Sequence, residues 1–267
     1  MTHAPAPVSA LTSKVMNTSL ATNQRRLLSY RRVLADQRQL IRELQQVIQP
    51  AQGGVDDIDG MRIAVRCTSA DPGLHVGGDW YLSMPLANGD LLLAVGDAVG
   101  HGLGATGLML RLRYAMAAFA AEDDRPGAVL RRLNSVLHRR NAAAAATAVV
   151  ARYCPVTAEF TWARAGHPPM LLADRNGVTS LPDSGGPLLG ACASARYPHT
   201  TRLLQPGDQI VMYTDGLFPR HHDIEELIHT LATRVQQAPN DPTAMLEQLD
   251  YRASGDDACV LIAQRIR

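Results

Sequence analysis

Short apolar runs joined by hairpin-type turns, with helical segments inserted in pairs, set the tightest limit on what this chain can fold into. The runs are Arg62–Thr68, Trp80–Pro85, Asp90–Gly96, Ala146–Tyr153, Glu159–Ala165, Met170–Ala173, His199–Leu204, Gln209–Thr214 and Cys259–Arg265. Each has strand length. Asn88-Gly89 and Asn176-Gly177 fall between runs, where a tight hairpin needs residues that accept positive φ. Gly104–Ala121 and Pro126–Arg140 read as consecutive helices, with Pro126 suited to a first turn. Two more helices are expected over Ile224–Gln237 and Pro242–Arg252. Strands that follow one another without β-α-β alternation predict an α+β fold with antiparallel sheets.

The composition supports such a core and narrows the partners. Apolar residues make up 46% of the 267, although Phe and Trp number only three and two. A net charge of +1 offers no general field for nucleic acid or membrane. Cys67, Cys154, Cys192 and Cys259 are far apart in sequence and form no C-x-x-C pair, which predicts reduced thiols. No apolar run reaches the roughly 20 residues of a membrane span, and the N-terminus lacks the charged start and apolar core of a secretory signal. The expectation is a soluble, cytoplasmic protein.

Ahead of the strands lies a different pattern. Residues 1–14 are small, polar and Pro-containing, and are expected to be disordered. From Val15 to Gln49 there is no Gly or Pro, and Leu20, Leu27, Leu34, Ile41 and Ile48 recur every seven residues. Asn23, Tyr30, Gln37 and Leu44 form a half-apolar companion row. Residues 15–50 therefore read as a helical, coiled-coil-like arm and a homodimer interface, or as an amphipathic helix packed on its own domain. Its arginines outnumber Asp36 and Glu43, which suits a solvated face or an acidic partner. Residues 51–60, AQGGVDDIDG, read as a linker to a domain spanning 61–267.

Within that domain, AVGDAVGHGLGATG at 94–107 offers two chemistries. GLGATG fits the dinucleotide fingerprint, but five residues separate it from the preceding strand, and Glu122, Asp123 and Asp124 end a helix where the fingerprint needs a second strand with an acid. The acids carry more. Asp79 lies in GGDWY, Asp97 ends LLLAVGD, Asp215 ends IVMYTD, and Asp256 with Asp257 precedes ACVLIAQ. Carboxylates at strand ends sit on a rigid rim, where several can converge on a hard cation such as Mg²⁺ or Mn²⁺. An Asp-Gly pair taken singly is more often only a turn.

GGDWY, GDAVGHG, ARAGHPPMLL, LQPGDQIVMYTDGL and DDACVLI stand in the order found in PPM-type metal-dependent serine/threonine phosphatases, and the chain most resembles the bacterial SpoIIE/RsbU-like branch over residues 45–267. The resemblance implies a β-sandwich of two antiparallel sheets flanked by helices, with a two-metal site at one end. Carried over by position, Asp79, Asp97, Asp215 and Asp256 would be catalytic metal ligands for two divalent cations, Mn²⁺ or Mg²⁺, joined by the backbone carbonyl of Ala98. It implies hydrolysis of phosphoserine or phosphothreonine on a partner protein, an anti-sigma-factor antagonist of a partner-switching pathway, under an upstream regulatory protein. A catalytically silent binding module signalling through its arm is the competing reading. His101 is a candidate proton donor to the leaving group, and His167 a loop-fixing residue. Leu82, Val99 and Phe218-Pro219-Arg220 depart from the family pattern without touching a proposed ligand.

Overall fold

Two antiparallel sheets form the framework of the computed structural model, which describes residues 54–70, 77–140, 144–182, 185–218, 241–249, 251 and 254–266, with isolated positions at 27, 31, 225, 229–230 and 232–233. The chain divides into two units, Met1–Pro50 and Ala51–Arg267. In the second unit one sheet has the order β1 (Gly54–Ile58), β2 (Met61–Thr68), β11 (Ala258–Arg265), β10 (Gln209–Tyr213), β7 (Leu171–Asp174), β8 (Gly177–Ser180). The other has the order β3 (Asp79–Pro85), β4 (Leu91–Ala98), β5 (Ala146–Cys154), β6 (Glu159–Ala165), β9 (His199–Leu203).

The sheets pack through alternate residues. Leu91, Leu93 and Val95 of β4 join Val149 and Ala151 of β5, Ile63 and Val65 of β2, Met212 of β10 and Leu261 of β11 in one buried cluster. Leu92 and Ala94 of β4 point the other way and are equally buried. That face is covered by α1 (Gly102–Glu122) and α2 (Pro126–Arg140). Cover on both faces is why this strand reads as an unbroken apolar run rather than an alternating one. On the far side of the first sheet, α3 (Pro242–Glu247) presents Met245 and Leu246 to Val211, Tyr213, Val260 and Ile262. Its start is fixed by Asp241, whose side chain accepts from the Thr243 amide at 2.9 Å, with Pro242 in the first turn.

The expected sandwich flanked by helices is therefore observed, with local differences. Part of the expected linker is structured: Gly54–Ile58 pairs with β2 from Gly54↔Val65 to Ile58↔Met61. Asp59 and Gly60 carry φ of 47° and 83°, so the Gly/Asp composition marks a two-residue hairpin turn. The helix expected over 242–252 stops at Glu247. Residues 1–14, the 15–50 arm beyond helical, exposed Leu27 and Arg31, and most of 224–237 lie outside the described residues. Cys67 and Cys259, expected as separate thiols, face each other across β2 and β11 and are joined in a disulfide. Sequence separation concealed a cross-strand register. Among the described residues no helix is long and apolar enough to cross a membrane.

Candidate active site

The acids gather where strands of both sheets end. Asp79 opens β3 and Asp97 nears the end of β4, directly opposite it in the antiparallel register, with Thr147 of β5 opposite Asp97 on the other side. From the first sheet, β10 runs through Thr214 into a single 3-10 turn at Asp215–Leu217, and β11 begins just after Asp256 and Asp257. Four segments remote in sequence thus meet at one edge of the sandwich.

Thr214 joins the two sheets there. Fully buried, it donates its hydroxyl to Asp79 Oδ2 at 2.6 Å, and the same oxygen accepts from the Cys259 amide at 2.8 Å. A hydroxyl that both donates and accepts satisfies two buried groups at once, which holds the Asp79 carboxylate in one orientation. Beside it, the Ala98 amide donates to the Gly78 carbonyl at 3.1 Å. A Cβ on Gly78 would lie 2.6 Å from the Ala98 carbonyl oxygen and 3.1 Å from Asp97 Oδ1. Glycine is thus required for the backbone to pass against the acid-bearing end of β4.

Electrostatically the site is strained. Burial, and then the charge of Asp97, push the Asp79 carboxyl well above its ordinary range, against the opposing bond from Thr214; Asp257 and Asp215 add to the rise. Asp97 is pushed up to about 6 by burial and then by Asp215, with Asp256 and Asp257 contributing and a hydrogen bond with Asp79 working the other way. The acids form a depth series: Asp79 is buried, Asp97 half-buried, Asp215 and Asp256 exposed. Oxygen-only donors crowded with like charge are the chemistry that suits a hard divalent cation. Among the described residues no three of the His, Cys, Asp or Glu side chains converge as a ready-made cage. Mg²⁺-type sites complete their shells with water and need few protein ligands. The residues present fit such a group.

The other candidates separate. His101 is exposed, precedes α1 and makes no side-chain capping bond. His167 is buried, with Nδ1 2.7 Å from Thr147 Oγ1. Its Nε2 lacks a regular hydrogen bond, and burial lowers its pKa to about 3, which the backbone of Tyr213 offsets only in part. His167 is a neutral strut behind Asp97 rather than a proton carrier, in keeping with a loop-fixing role. Gly102 and Gly104 of GLGATG open α1 after a loop, with no second strand following, so no dinucleotide cradle forms. Cys259 and Arg265 have the spacing of a cysteine-phosphatase loop, yet they lie at the two ends of β11 with Cys259 buried. Sequence reasoning missed Thr214, and it read Asp257 only as one more rim acid. The only signal of their supporting roles was adjacency to Asp215 and Asp256.

Residues 87–266 match the family described as Stage II sporulation protein E (SpoIIE). The chain is 25% identical over 207 residues to phosphoserine phosphatase RsbU of Bacillus subtilis (strain 168), covering 73% of this chain and 62% of RsbU. Among solved structures, the RsbU and RsbW domains of Rv1364c from Mycobacterium tuberculosis give a TM-score of 0.68 at 29% identity, over 78% of this chain and 61% of that one. The chain thus spans less than two thirds of the length of either relative. RsbX, solved in complex with magnesium, shares the fold with a TM-score of 0.63 at 19% identity, over 80% of this chain and 99% of that one.

Proposed function

The chain belongs to the Stage II sporulation protein E (SpoIIE) family, and from that premise we propose that it is a metal-dependent protein phosphatase. Its substrate is a phosphoserine or phosphothreonine on a regulatory protein, of the anti-sigma-factor-antagonist kind used in partner switching. The observation that carries the reading is the Asp79–Asp97 pair, two facing carboxylates pushed up by burial and by the charges of neighbouring acids.

Asp79 and Asp97 would hold the inner side of a two-cation site, Asp215 and Asp256 the outer side, and the Ala98 carbonyl would add a neutral oxygen. When bound, Mn²⁺ or Mg²⁺ lowers the pKa of a water and neutralises phosphoryl oxygens, so no side-chain nucleophile is required. Thr214 keeps Oδ2 of Asp79 engaged and so fixes the orientation of that carboxylate. The exposure of Asp215 and Asp256 lets a phosphorylated segment of another protein reach the rim. Exposed His101, on the loop between β4 and α1, is the candidate for protonating the leaving serine. Residues 15–50 pair two copies and receive the upstream regulatory protein, and the protein works in the cytoplasm.

Phosphate release from a panel of phosphorylated proteins, measured with Mn²⁺, with Mg²⁺ and after exhaustive chelation, tests this. Release that requires metal and is lost in Asp215→Asn supports the phosphatase. Undiminished release after chelation would sink the two-cation mechanism. No release with either metal, alongside intact Mn²⁺ binding, would favour the silent binding module.

A further inference from the structure

Asp257 differs from the other acids of the rim in what its oxygens do. Oδ1 accepts from Ser69 Oγ at 3.1 Å and from the Ala70 amide at 2.9 Å, while Oδ2 accepts from the Gly78 amide at 2.9 Å. An ionised carboxylate offers about four acceptor sites, so most of its capacity is already engaged. The donors sit just after β2 and just before β3, one strand in each sheet, and Asp257 itself precedes β11.

The glycines of GGD and TDG answer to the same residue. A Cβ on Gly77 would fall 1.6 Å from Asp257 Oδ2, and one on Gly216 would fall 1.6 Å from the Asp257 carbonyl oxygen. Asp257 therefore occupies the space these two glycines leave open. Gly78 adjoins Asp79, Gly216 adjoins Asp215, and Asp257 adjoins Asp256. Gly78 and Gly216, two of the neighbours of Asp257, are thus each one peptide bond from a proposed ligand.

We infer that Asp257 is a positioning residue and not a ligand: it fastens the strand ends that aim Asp79, Asp215 and Asp256 at a shared cation site. The inference rests on the metal-site reading above, and its test separates the two. Asp257→Asn and Asp257→Ala are compared with Asp208→Asn, which removes a carboxylate away from the rim that accepts from the Gln205 amide at 2.8 Å before β10. Two quantities are read: amide hydrogen exchange at Ala70 and Gly78 in chelated protein, and Mn²⁺ affinity and stoichiometry by calorimetry. Asp257→Ala speeds exchange at both amides at least roughly tenfold and weakens Mn²⁺ binding about 10–100-fold, as loss of a partner that orients metal ligands does. The number of ions bound at saturation stays that of wild type, and Asp208→Asn leaves the affinity unchanged. Asp257→Asn, which keeps one acceptor oxygen, falls between and serves if the alanine variant does not fold. Unchanged exchange and affinity would overturn the inference, as would the loss of one bound ion, which would make Asp257 a ligand. If wild type binds no Mn²⁺, the metal chemistry fails while the exchange rates still decide whether Asp257 holds the strand ends.

Discussion

Replacing Asp97 by Asn should stabilise the metal-free protein while destroying its metal site. Asp97 has an ordinary pKa of 3.8 when unfolded and about 6 in the fold, raised first by burial and then by Asp215. A group with a raised folded pKa contributes stability that is fully present below pH 3.8 and lost as pH rises through about 6. Above that window, keeping Asp97 ionised costs about two pKa units, or about 3 kcal/mol. Asp79 shares part of the repulsion, so the substitution should recover about 2–3 kcal/mol at pH 7.5. For a domain of this size that corresponds to a rise in Tm of roughly 5–10 °C. Calorimetry in chelator at pH 7.5 and pH 5 measures it, and the advantage should shrink to about half at pH 5. With saturating Mn²⁺ the order reverses, because only wild type gains binding energy. An Asn variant no more stable than wild type in chelator, or an advantage indifferent to pH, would show that these carboxylates do not repel as argued.

Thr214→Val removes the donor to Asp79 and orphans the Cys259 amide, and should cost about 3 kcal/mol in urea denaturation. Gly216→Ala must displace the Asp257 carbonyl and should cost at least about 3 kcal/mol by the same assay, whereas Gly104→Ala meets nothing within 4 Å and should gain about 0.5–1 kcal/mol as a helix residue. In the arm, Leu27, Leu34 and Ile41 would each bury about 1.5–3 kcal/mol of side chain in a dimer seam, so replacing all three by Ser should convert a dimer to a monomer in light scattering. A full-length protein already monomeric at tens of micromolar would refute the seam.

Periodicity and turn chemistry were sufficient for most strands and for the helix pair, because both depend on neighbours in sequence. Asn88-Gly89 and Asn176-Gly177 announced hairpins that are present, and Pro126 marked a helix start that is observed. Asp59-Gly60 failed for the opposite reason: a Gly/Asp pair suits a linker and a hairpin equally, and pairing with β2 decides between them. The cysteines show the same limit, since nothing local tells Cys67 that it will face Cys259 across 192 residues of sequence. At the candidate site, the acids were visible because each borders an apolar run. The supporting roles of Thr214 and Asp257 were not, because these residues act on groups 135 and 179 residues away. Sequence pattern reports what a residue is next to in the chain, and these two matter for what they touch across the sandwich.

The distribution of charge makes the same site intelligible from the other direction. Arg62 pairs with Asp57, Arg125 with Asp123, Arg132 with Glu122, and Arg152 with both Asp90 and Asp124. The exposed pairs among these, Arg62–Asp57 and Arg132–Glu122, add little stability. Their meaning is comparative, since a chain with 26 basic and 25 acidic groups has enough cations to neutralise its acids. At the rim, among the described residues, the charges acting on Asp79 and Asp97 come from other acids. A fold selected for stability alone would place an arginine there and gain a hydrogen-bonded pair in a poorly solvated position. An arginine would also fill the space and block access to the carboxylate oxygens. Leaving the position to a removable cation keeps those oxygens open to water and phosphate, at the cost of a strained metal-free state. The same arrangement explains why the rim is braced by neutral groups, Thr214 on Asp79 and backbone amides on Asp257: they orient carboxylates without cancelling the charge that a cation needs.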